Sequence, residues 1–352
     1  MPRPLELMVP DGFEQVAYGH DAATGLRAIV ALHSTVLGPG LGGTRFYPFP
    51  DEEAALVDVC RLAKGMTYKH AAAGTDQGGG KAVIIGDPAT LRTDALIRRY
   101  ARFVDGLAGR YVTAEDVGTT QADMDLIHTI TPHVSGISEH LGGSGDPSPA
   151  TAVGVLWAMK AVAERLWGTS SLEGRHVCIN GVGKVGGALA DHLHAEGARL
   201  TVADVRAAAT GAVTERTGAA VVTPEAAHAV VCDVYSPCAL GGALSAVTIP
   251  QLRTAAVVGC ANNQLATPQD AQRIEESGVL YAPDYVVNAG GVINIAQEKG
   301  GYDRARADER IRGIHDTVLR VLDLAAEEGI TTAAAADLLA ERRIEAARTN
   351  ER

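Results

Sequence analysis

The N-terminal part of the chain alternates between short apolar runs and longer stretches in which apolar residues recur at helical spacing. Apolar side chains three or four positions apart predict a helix, and short aliphatic runs bounded by turn residues predict buried strands. Acidic residues from Asp51 onward add a helix start signal. We expect strands at 26–36, 81–85 and 111–114, and helices at 51–70, 90–107 and 120–130. This succession indicates an α/β domain.

Glycine and proline mark two breaks in this pattern. The run 38–43 (GPGLGG) predicts a turn after the first strand, and glycine, serine and proline concentrated at 142–149 predict a hinge. A helix is expected at 150–167, followed by a second alternation of strands and helices. That alternation is typical of a doubly wound sheet, with strands expected at 175–180, 199–204, 219–223, 230–235, 255–259 and 279–282. The segment 303–347 is predicted to be helical.

The pattern therefore predicts two α/β domains with a cleft between them. Residues 1–140 would form the first domain, residues 141–329 the second, and helices at about 330–352 would pack back on the first. A chain of 352 residues is too long for one ordinary hydrophobic core. Its hydrophobic content of 46% and charged content of 21% are typical of a globular protein.

Charge and cysteine content argue against several classes of function. A net charge of −11 without a basic block argues against nucleic acid and anionic membranes as partners. The five cysteines are scattered without CxxC spacing, so we expect neither a disulfide framework nor a zinc site. His192 and His194 would point to different faces of a helix, and His70, His128 and His133 show no convincing partners, so we assign no metal. With no signal-peptide pattern and no apolar run of membrane-spanning length, we expect a cytoplasmic protein.

A glycine-rich motif follows the strand predicted at 175–180. Its spacing is G-x-G-x-x-G, ahead of a predicted helix, over the residues Gly181, Val182, Gly183, Lys184, Val185 and Gly186. Such glycines allow a tight turn, the approach of a pyrophosphate and close packing of strand and helix. Asp204 ends the next strand about 20 residues further on, where it would bind the adenine ribose hydroxyls and favour NAD over NADP. Arg206 could weaken that preference, although a solvated surface arginine is the plainer interpretation.

Lys81 directly follows three glycines and opens a buried strand. Glycines let a ligand approach the backbone. A partly desolvated lysine with Lys69 as a cationic neighbour would have a lowered pKa and could act as a base near neutral pH. A flexible loop with a surface lysine is the plainer alternative. A P-loop is disfavoured because Ala82 stands where Ser or Thr is needed, whereas a Schiff-base lysine for pyridoxal phosphate stays open locally.

Several longer segments carry a specific resemblance: 38–45 (GPGLGGTR), 64–69 (KGMTYK), 78–88 (GGGKAVIIGDP), 113–119 (TAEDVGT), 261–264 (ANNQ) and 281–294 (YAPDYVVNAGGVIN). On these segments nearly the whole chain resembles the glutamate/leucine/phenylalanine/valine dehydrogenases, specifically the leucine and valine branch. The resemblance implies an N-terminal α/β substrate domain, a Rossmann-type NAD domain and a homo-oligomer. It also implies oxidative deamination of an L-amino acid to the 2-oxo acid, ammonia and NADH. Thr75 replaces the aliphatic residue usual in this family, and we expect a local packing change there.

The resemblance assigns roles by position in the motifs. Lys69, the backbone N–H of Gly43 and Asn263 would bind the substrate carboxylate. Lys81 would activate the water that attacks the imino acid, and Asp116 would exchange protons with the substrate amine. Two further residues would lie near the nicotinamide or its ribose, namely Thr151 and Asn262.

Side-chain specificity in this family looks set by a small apolar pocket. The matching positions are aliphatic or sulfur-containing, namely Leu41, Met66, Ala114, Val292 and Ile295. A pocket of this kind implies leucine, valine and isoleucine as substrates and poor use of phenylalanine. The alternatives are a phenylalanine or other amino-acid dehydrogenase of the same family and, less favoured, a non-catalytic dinucleotide-binding protein.

Overall fold

The computed structural model describes residues 4–351. Residues 1–3 and 352, which the predicted domains include, lie outside the described residues. Contacts along the described chain group it into two compact units. The first comprises the chain up to Asp146, the segment Ile295–Arg304 and the segment from Ala340 onward. The second comprises Pro147–Asn294 and Ala305–Leu339.

A mixed five-stranded sheet organises the first unit within residues 4–351. Its strands are β1 (Gln15–Asp21), β2 (Leu26–Ser34), β3 (Gly40–Tyr47), β4 (Gly78–Ile85) and β5 (Tyr111–Glu115). They lie in the order β1-β2-β4-β3-β5. β2 pairs antiparallel with β1 and β4, whereas β3 lies parallel between β4 and β5. The central position of β3 brings its neighbours β4 and β5 within reach of each other's side chains.

Helices cover both faces of this sheet. Those in the N-terminal part of the chain are α1 (Pro4–Asp11), α2 (Glu52–Ala72), α3 (Pro88–Leu91), α4 (Asp94–Asp105) and α5 (Gln121–His128). Side-chain caps start four of them: Asp51 accepts from the N–H of Ala54, Asp87 from Ala89, Thr93 from Leu96, and Thr120 from Asp123. The capping carboxylates and hydroxyls satisfy N–H groups that have no partner within the helix.

Strand alternation divides the apolar residues of β2 and β4 between two cores. Ala31 and Val83 pack with residues of α2, whereas Val30 and Ala82 pack with residues of α4 and α5. Lys81 pairs with Ala31 across the sheet and shares its face, so Lys81 points to the α2 side. The strand thus holds a charged side chain beneath a helix.

The second unit is built on a six-stranded parallel sheet within the described residues. Its strands are β6 (His176–Asn180), β7 (Arg199–Ala203), β8 (Ala220–Val221), β9 (Val234–Pro237), β10 (Ala256–Val257) and β11 (Leu280–Tyr281). Across the sheet they run β11-β10-β9-β6-β7-β8, with every pair parallel. The strand order reverses between β6 and β9, which is the arrangement of a Rossmann sheet. The predicted doubly wound fold is confirmed.

The helices from the hinge onward complete the chain. They are α6 (Ser148–Trp167), α7 (Lys184–Ala195), α8 (Ala207–Thr217), α9 (Gln269–Glu276), α10 (Asp284–Val287), α11 (Gly290–Ala296), α12 (Arg304–Arg312), α13 (Ile314–Glu328) and α14 (Thr332–Glu351). Glycines in the left-handed region end several of them, including Gly168 after α6 and Gly329 after α13. Among the described helices, none combines the length and apolarity needed to cross a bilayer.

One prediction about the glycine-rich segments is wrong in part: the turn expected at 38–43 ends at Pro39, because Gly40–Tyr47 is a strand. The alternative of a flexible loop before Lys81 is excluded, because the three glycines belong to β4. The reason is packing: a Cβ at Gly79 would lie 1.8 Å from Oγ1 of Thr67 on α2. Glycine is therefore required at this position of β4, because helix α2 packs directly against the strand backbone. β1 was also missed, and the strand predicted at 230–235 starts only at Val234.

Candidate active site

Lys81 and Asp116 form an ion pair in the first unit. Lys81 lies in β4 and Asp116 directly follows β5, so the pair spans the intervening strand β3. The side chains are 9% and 17% exposed, which shields the pair from solvent. The structure thus gives Lys81 a carboxylate neighbour that we did not predict, while Lys69 as its cationic neighbour stays a prediction. A buried amine beside a buried carboxylate can pass a proton to and from a bound substrate.

Several groups hold the Asp116 carboxylate ionised. Burial alone would raise its pKa, but the charge and hydrogen bond of Lys81, the charge of Arg45 and the N–H of Val117 together place the pKa of Asp116 below its ordinary value of 3.8. Nε of Arg45 lies 3.8 Å from the carboxylate, and the N–H of Val117 donates to it at 2.7 Å. Asp116 is therefore poised to accept a proton at neutral pH.

The backbone around Asp116 is fixed by Thr119. Its hydroxyl accepts the N–H of Asp116 at 2.9 Å and donates to the carbonyl of Thr44 at 2.9 Å. These bonds tie the loop after β5 to β3, and they set the direction in which the Asp116 side chain leaves the sheet.

Gly43 is the residue of β3 that lies between the two charged side chains. A Cβ there would come 2.8 Å from Cβ of Asp116 and 2.5 Å from the carbonyl oxygen of Glu115. Both distances are shorter than real Cβ contacts, so only glycine fits. The structure brings Gly43, Lys81 and Asp116 together, as the sequence predicted.

Helix α2 lies on the same face as Lys81 and carries Met66, Lys69 and His70. Met66 is half-buried, and its Cγ lies 3.4 Å from where a Cβ at Gly42 would be. Lys69 is half-buried two turns beyond Ala63, which packs on β4. The predicted binding residues Met66 and Lys69 thus share the helix that covers Lys81.

His70 corrects two expectations at once. We found no convincing partner for it, but Nε2 donates to the carbonyl of Leu41 at 3.1 Å and Nδ1 lies 2.8 Å from Oγ1 of Thr75. Burial lowers the pKa of His70 to about 3, so the ring is neutral and its Nδ1 accepts the Thr75 hydroxyl. The unusual Thr75 therefore supplies a hydrogen bond in addition to a change in packing.

A small aliphatic cluster lies on β3 and β5, in the sheet that carries the ion pair. Leu41 from β3 and Ala114 from β5 are buried against Ile295 and Ala296 at the end of α11, with Val112 alongside. Three of the predicted pocket residues are thereby brought together. Val292 lies three residues before Ile295 in the same helix and is half-buried. It is grouped with the second unit.

Three residues after Ile295, Glu298 binds a loop of the first unit. Its carboxylate accepts the N–H of Gly136 at 3.0 Å, the N–H of Ser144 at 2.7 Å and the Ser144 hydroxyl at 2.6 Å. Burial raises the pKa of Glu298 above its ordinary value of 4.5 despite these bonds. Sequence reasoning missed this residue, which anchors the chain directly beyond the aliphatic cluster.

In the second unit the glycine motif has the context that dinucleotide binding requires. Gly181 follows β6 with φ of +106°, and Gly183 is the N-cap residue of α7. A Cβ at Gly186 would lie 2.0 Å from the carbonyl oxygen of Gly181. Lys184 and Val185 open α7, and Val182 is buried in the turn. The strand, turn and helix thus leave a backbone cradle of the kind that accepts a pyrophosphate.

Asp204 follows β7 and faces this turn. Its carboxylate accepts the N–H of Val182 at 2.9 Å and both the N–H and Nε of Arg206, at 2.9 and 3.2 Å. Burial opposes ionisation, but these hydrogen bonds outweigh it and lower the pKa of Asp204 below 3.8. Arg206 is a solvated surface arginine as we expected, with its side chain 64% exposed, and its guanidinium lies 3.7 Å from where a Cβ at Gly183 would be.

The remaining predicted cofactor and substrate residues lie on loops and helix starts of the second unit. Thr151, in the first turn of α6, donates to the carbonyl of Pro147 at 2.9 Å. Asn262 and Asn263 are exposed, and Asn263 has a positive φ of 53°. The side chain of Asn288 donates to Oδ1 of Asn262 at 2.9 Å. Asn288 therefore orients a predicted binding residue and was missed.

Arg45, Thr119 and Asn288 all lie inside the segments that carried the resemblance, so the sequence held a signal for them. Arg45 follows Gly43 by two positions in β3 and shares its face, where it also binds Asp58 of α2 at 2.7 Å. Strand alternation could therefore have found it. Within residues 4–351, no group of three or more His, Cys, Asp or Glu side chains is placed to hold a metal ion.

Comparisons with known proteins agree on one family. Residues 14–133 match the Glu/Leu/Phe/Val dehydrogenase dimerisation domain, and residues 142–223 and 204–352 match the Glutamate/Leucine/Phenylalanine/Valine dehydrogenase domain. Leucine dehydrogenase of Bacillus cereus is 52% identical over 332 residues, 94% of this chain and 91% of that protein. Valine dehydrogenase of Streptomyces coelicolor is 50% identical over 340 residues, 96% of this chain and 93% of that protein. The crystal structure of L-tryptophan dehydrogenase from Nostoc punctiforme superposes with a TM-score of 0.86 at 42% identity, covering 98% of this chain and 99% of that one.

Proposed function

Because the chain belongs to the glutamate/leucine/phenylalanine/valine dehydrogenase family, we propose that it oxidises a branched-chain aliphatic L-amino acid with NAD. The products are the 2-oxo acid, ammonia and NADH, and the reaction is reversible. The observation that carries this proposal is the buried pair Lys81 and Asp116, in a sheet that also supplies a small aliphatic cluster from β3 and β5. Identity of 52% and 50% to named leucine and valine dehydrogenases supports the substrate class.

The substrate carboxylate is assigned to cationic and N–H donors of the first unit. Lys69 on α2 and the backbone N–H of Gly43 would bind it, with Asn263 as a further proposed donor. A fixed cation at this carboxylate orients the α-carbon and its amine. The neighbouring Leu41, Ala114, Ile295, Met66 and Val292 are proposed to contact the side chain of the substrate.

The residues of the second unit fit a nicotinamide dinucleotide. The cradle of Gly181, Gly183 and Gly186 would hold the pyrophosphate, and Asp204 would bind the adenine ribose, with Arg206 at its edge. Thr151 and Asn262 are proposed for the nicotinamide end. When bound, the dinucleotide supplies the acceptor for the hydride of the substrate α-carbon.

Lys81 and Asp116 would carry out the proton transfers of the reaction. Asp116, ionised at neutral pH, takes a proton from the substrate ammonium so that the amine can become an imine. Lys81 then withdraws a proton from a water, whose oxygen attacks the imine carbon, and Asp116 returns a proton to the departing amine. Ammonia leaves as the hydroxyl of this carbinolamine passes its proton to Asp116, which is ionised again, and the carbonyl forms. Exclusion of bulk water around the pair would strengthen each of these interactions.

A second candidate is an amino-acid dehydrogenase of this family that acts on a larger side chain. This second candidate is supported by the similarity to a tryptophan dehydrogenase, which has the same fold and is 42% identical. Leu41 and Ile295 favour the aliphatic substrate, since they fill the space in which an aromatic ring would lie.

We also propose a homo-oligomer, on the description of the matched N-terminal segment as a dimerisation domain. We propose that the N-terminal part of the chain binds the substrate and that the later part binds NAD. We also propose a cytoplasmic location.

A substrate panel tests the function. Leucine, valine, isoleucine, phenylalanine, tryptophan and glutamate are each supplied with NAD or NADP at alkaline pH, and reduced nicotinamide is followed by its absorbance. The proposal expects NADH from the three aliphatic substrates and none from the Lys81→Ala variant. Faster turnover of tryptophan or phenylalanine than of the three aliphatic substrates would favour the second candidate. Dinucleotide binding without turnover of any amino acid would favour a non-catalytic protein.

A further inference from the structure

Cys238 and Cys260 follow neighbouring strands of the second sheet and have no role in the proposed reaction. β9 and β10 pair in parallel, with Val234 opposite Ala256 and Tyr235 opposite Val257. Cys238 directly follows β9, and Cys260 lies three residues beyond β10. The two segments stay side by side beyond the strands, since the N–H of Val258 donates to the carbonyl of Tyr235 and the N–H of Ala261 to the carbonyl of Pro237, both at 3.0 Å, with one extra residue on the second segment.

The two cysteines lie close enough for a disulfide to join them. Neighbouring strands lie about 4.7–4.9 Å apart, and disulfides join Cα atoms about 4.4–6.8 Å apart. Sγ of Cys260 lies 4.0 Å from the carbonyl oxygen of Cys238, and the side chains of the two cysteines interact.

The surroundings of Cys238 favour its reactive form. The side chain of Cys260, the hydroxyl of Ser236 at 3.3 Å and the N–H of Cys260 lower the pKa of Cys238 below its ordinary value of 9.0, against the effect of burial. Both cysteines are half-buried. In contrast, burial raises the pKa of Cys60 to about 11 and that of Cys178 to about 12. Cysteines with a lowered pKa, partial exposure and a second thiol nearby are the ones that oxidants modify selectively.

The pair lies where the second sheet reverses its strand order, beside the glycine turn. A Cβ at Gly186 would come 3.3 Å from Cβ of Cys238, so this cysteine packs directly on the third glycine of the motif. On the other side, Asn288 donates to the carbonyl of Cys260 at 3.1 Å and to Asn262 at 2.9 Å. A change in either cysteine is therefore transmitted to groups proposed to bind the dinucleotide.

We propose that Cys238 and Cys260 are a redox-sensitive pair, which a hydroperoxide oxidises to a disulfide that weakens dinucleotide binding. The thiolate of Cys238 attacks the distal oxygen of the hydroperoxide, the O–O bond breaks, and a sulfenic acid forms. The Cys260 sulfur attacks the sulfenic sulfur, the S–O bond breaks, and water leaves with the Cys260 proton. The two thiols lose two electrons, and hydrogen peroxide is reduced to two waters. A thiol reductant reverses the change.

Binding weakens because the new bond draws the Cys260 backbone toward Cys238 and disturbs both neighbours. Asn288 bonds to the carbonyl of Cys260, so its hold on Asn262 changes, and the packing of Cys238 on Gly186 changes with it. This part of the proposal rests on the dinucleotide site of the proposed function. Formation of the disulfide does not, which allows the two to be tested separately.

The experiment treats the reduced full-length protein with hydrogen peroxide and divides it for two measurements. Proteolysis after alkylation, followed by mass spectrometry, identifies which cysteine peptides are joined. Titration with NADH, followed by its fluorescence, measures the dissociation constant before oxidation, after it, and after dithiothreitol. Cys260→Ser is the test variant, and Cys232→Ser, which alters another half-buried cysteine of the same unit, is the matched control.

We expect a peptide pair joined through Cys238 and Cys260, and a rise of about tenfold or more in the NADH dissociation constant that dithiothreitol reverses. Cys260→Ser should bind NADH before oxidation and keep its affinity afterwards, while Cys232→Ser should respond as the parent does. Peroxide treatment that leaves both peptides alkylated overturns the proposal, as does a disulfide that leaves NADH affinity unchanged. If the reduced protein fails to bind NADH, the proposed function falls, whereas mapping of the joined peptides still decides whether the pair forms.

Discussion

The ion pair between Lys81 and Asp116 crosses a whole strand of the first sheet, and Gly43 on that strand leaves the space for it. A side chain at position 43 would collide with Cβ of Asp116, one member of the pair. The glycine of β3 and the charges of its neighbours therefore form one structural unit. Removing either charge leaves the other buried without its partner, which is costly in a site so little exposed.

Lys81→Ala should abolish oxidation of the amino acid while leaving dinucleotide binding intact. Loss of a general base reduces kcat by ~10²–10⁴-fold, and the glycine cradle lies in the other unit. Steady-state assays with leucine and titration with NADH measure the two properties. Lys64→Ala is the control, because Lys64 belongs to the same KGMTYK segment but binds Asp11 at 2.6 Å and is 41% exposed. Equal losses in both variants would contradict a catalytic Lys81.

Asp116→Asn should lower kcat without unfolding the protein, because the amide keeps the shape of the carboxylate but cannot take a proton. We expect a fall of ~10²–10⁴-fold in kcat. Asp58→Asn is the matched change, since Asp58 also binds Arg45 and its side chain is 15% exposed. If the two substitutions reduce kcat alike, Asp116 acts by holding Arg45 and not by transferring protons. Circular dichroism and thermal unfolding confirm that both variants fold.

Leu41→Ala should shift preference toward phenylalanine by opening the aliphatic cluster of the first unit. Leu41 is 1% exposed and packs with Ala114 and Ile295. Differences of about 1–3 kcal/mol in transition-state binding are typical of such pockets, which corresponds to roughly a 10–200-fold change in the ratio of kcat/KM for phenylalanine over leucine.

Leu41→Ala will also lower the stability of the protein. A control is therefore needed that separates the loss of packing from the change in substrate specificity. Leu56→Ala removes the same atoms from a side chain that is 4% exposed in the separate core under α2. Each variant should lose about 2–5 kcal/mol of unfolding free energy. Only Leu41→Ala should change the ratio of kcat/KM values, and an unchanged ratio would remove Leu41 from the pocket.

Periodicity and motif spacing predicted the parts of the fold that depend on local sequence. The glycine motif at Gly181 stands between a strand and a helix as expected, and Asp204 follows the next strand. In contrast, the run from Gly38 to Gly43 indicated a turn throughout, but only Gly38 and Pro39 lie in a bend and β3 begins at Gly40. Glycine marks both turns and places where strands are pressed closely, and only the three-dimensional neighbours distinguish the two.

Contacts between residues that lie far apart in the sequence could not be predicted either. The charge beside Lys81 comes from Asp116, two strands away in the sheet, and His70 finds its partners in Thr75 and Leu41. These pairings depend on sheet order and register, which neither composition nor helical spacing contains. The family segments located the residues proposed for catalysis, but did not indicate which of them are in contact.

His70 should make the folded protein lose stability on acidification. Its folded pKa of about 3 lies below the ordinary value of 6.5, so between these values the unfolded chain takes up a proton that the folded chain refuses. Stability from this group is therefore complete above 6.5 and falls as the pH drops toward 3. Thermal unfolding of the parent and of His70→Gln across this window measures it. The variant should be less stable at neutral pH, yet lose less on acidification; parallel curves would contradict the assignment.

Gly186→Ala and Gly187→Ala test the cradle with one methyl group each. A Cβ at Gly186 would lie 2.0 Å from the carbonyl oxygen of Gly181, whereas one at Gly187 would lie 3.6 Å from the carbonyl of Val182, an ordinary contact. Both residues are buried in α7, where alanine is otherwise the better helix former. We therefore expect Gly186→Ala to lose NADH binding in fluorescence titrations and Gly187→Ala to keep it. If Gly186→Ala binds NADH like the parent, the close approach of strand and helix at this turn is not what the dinucleotide requires.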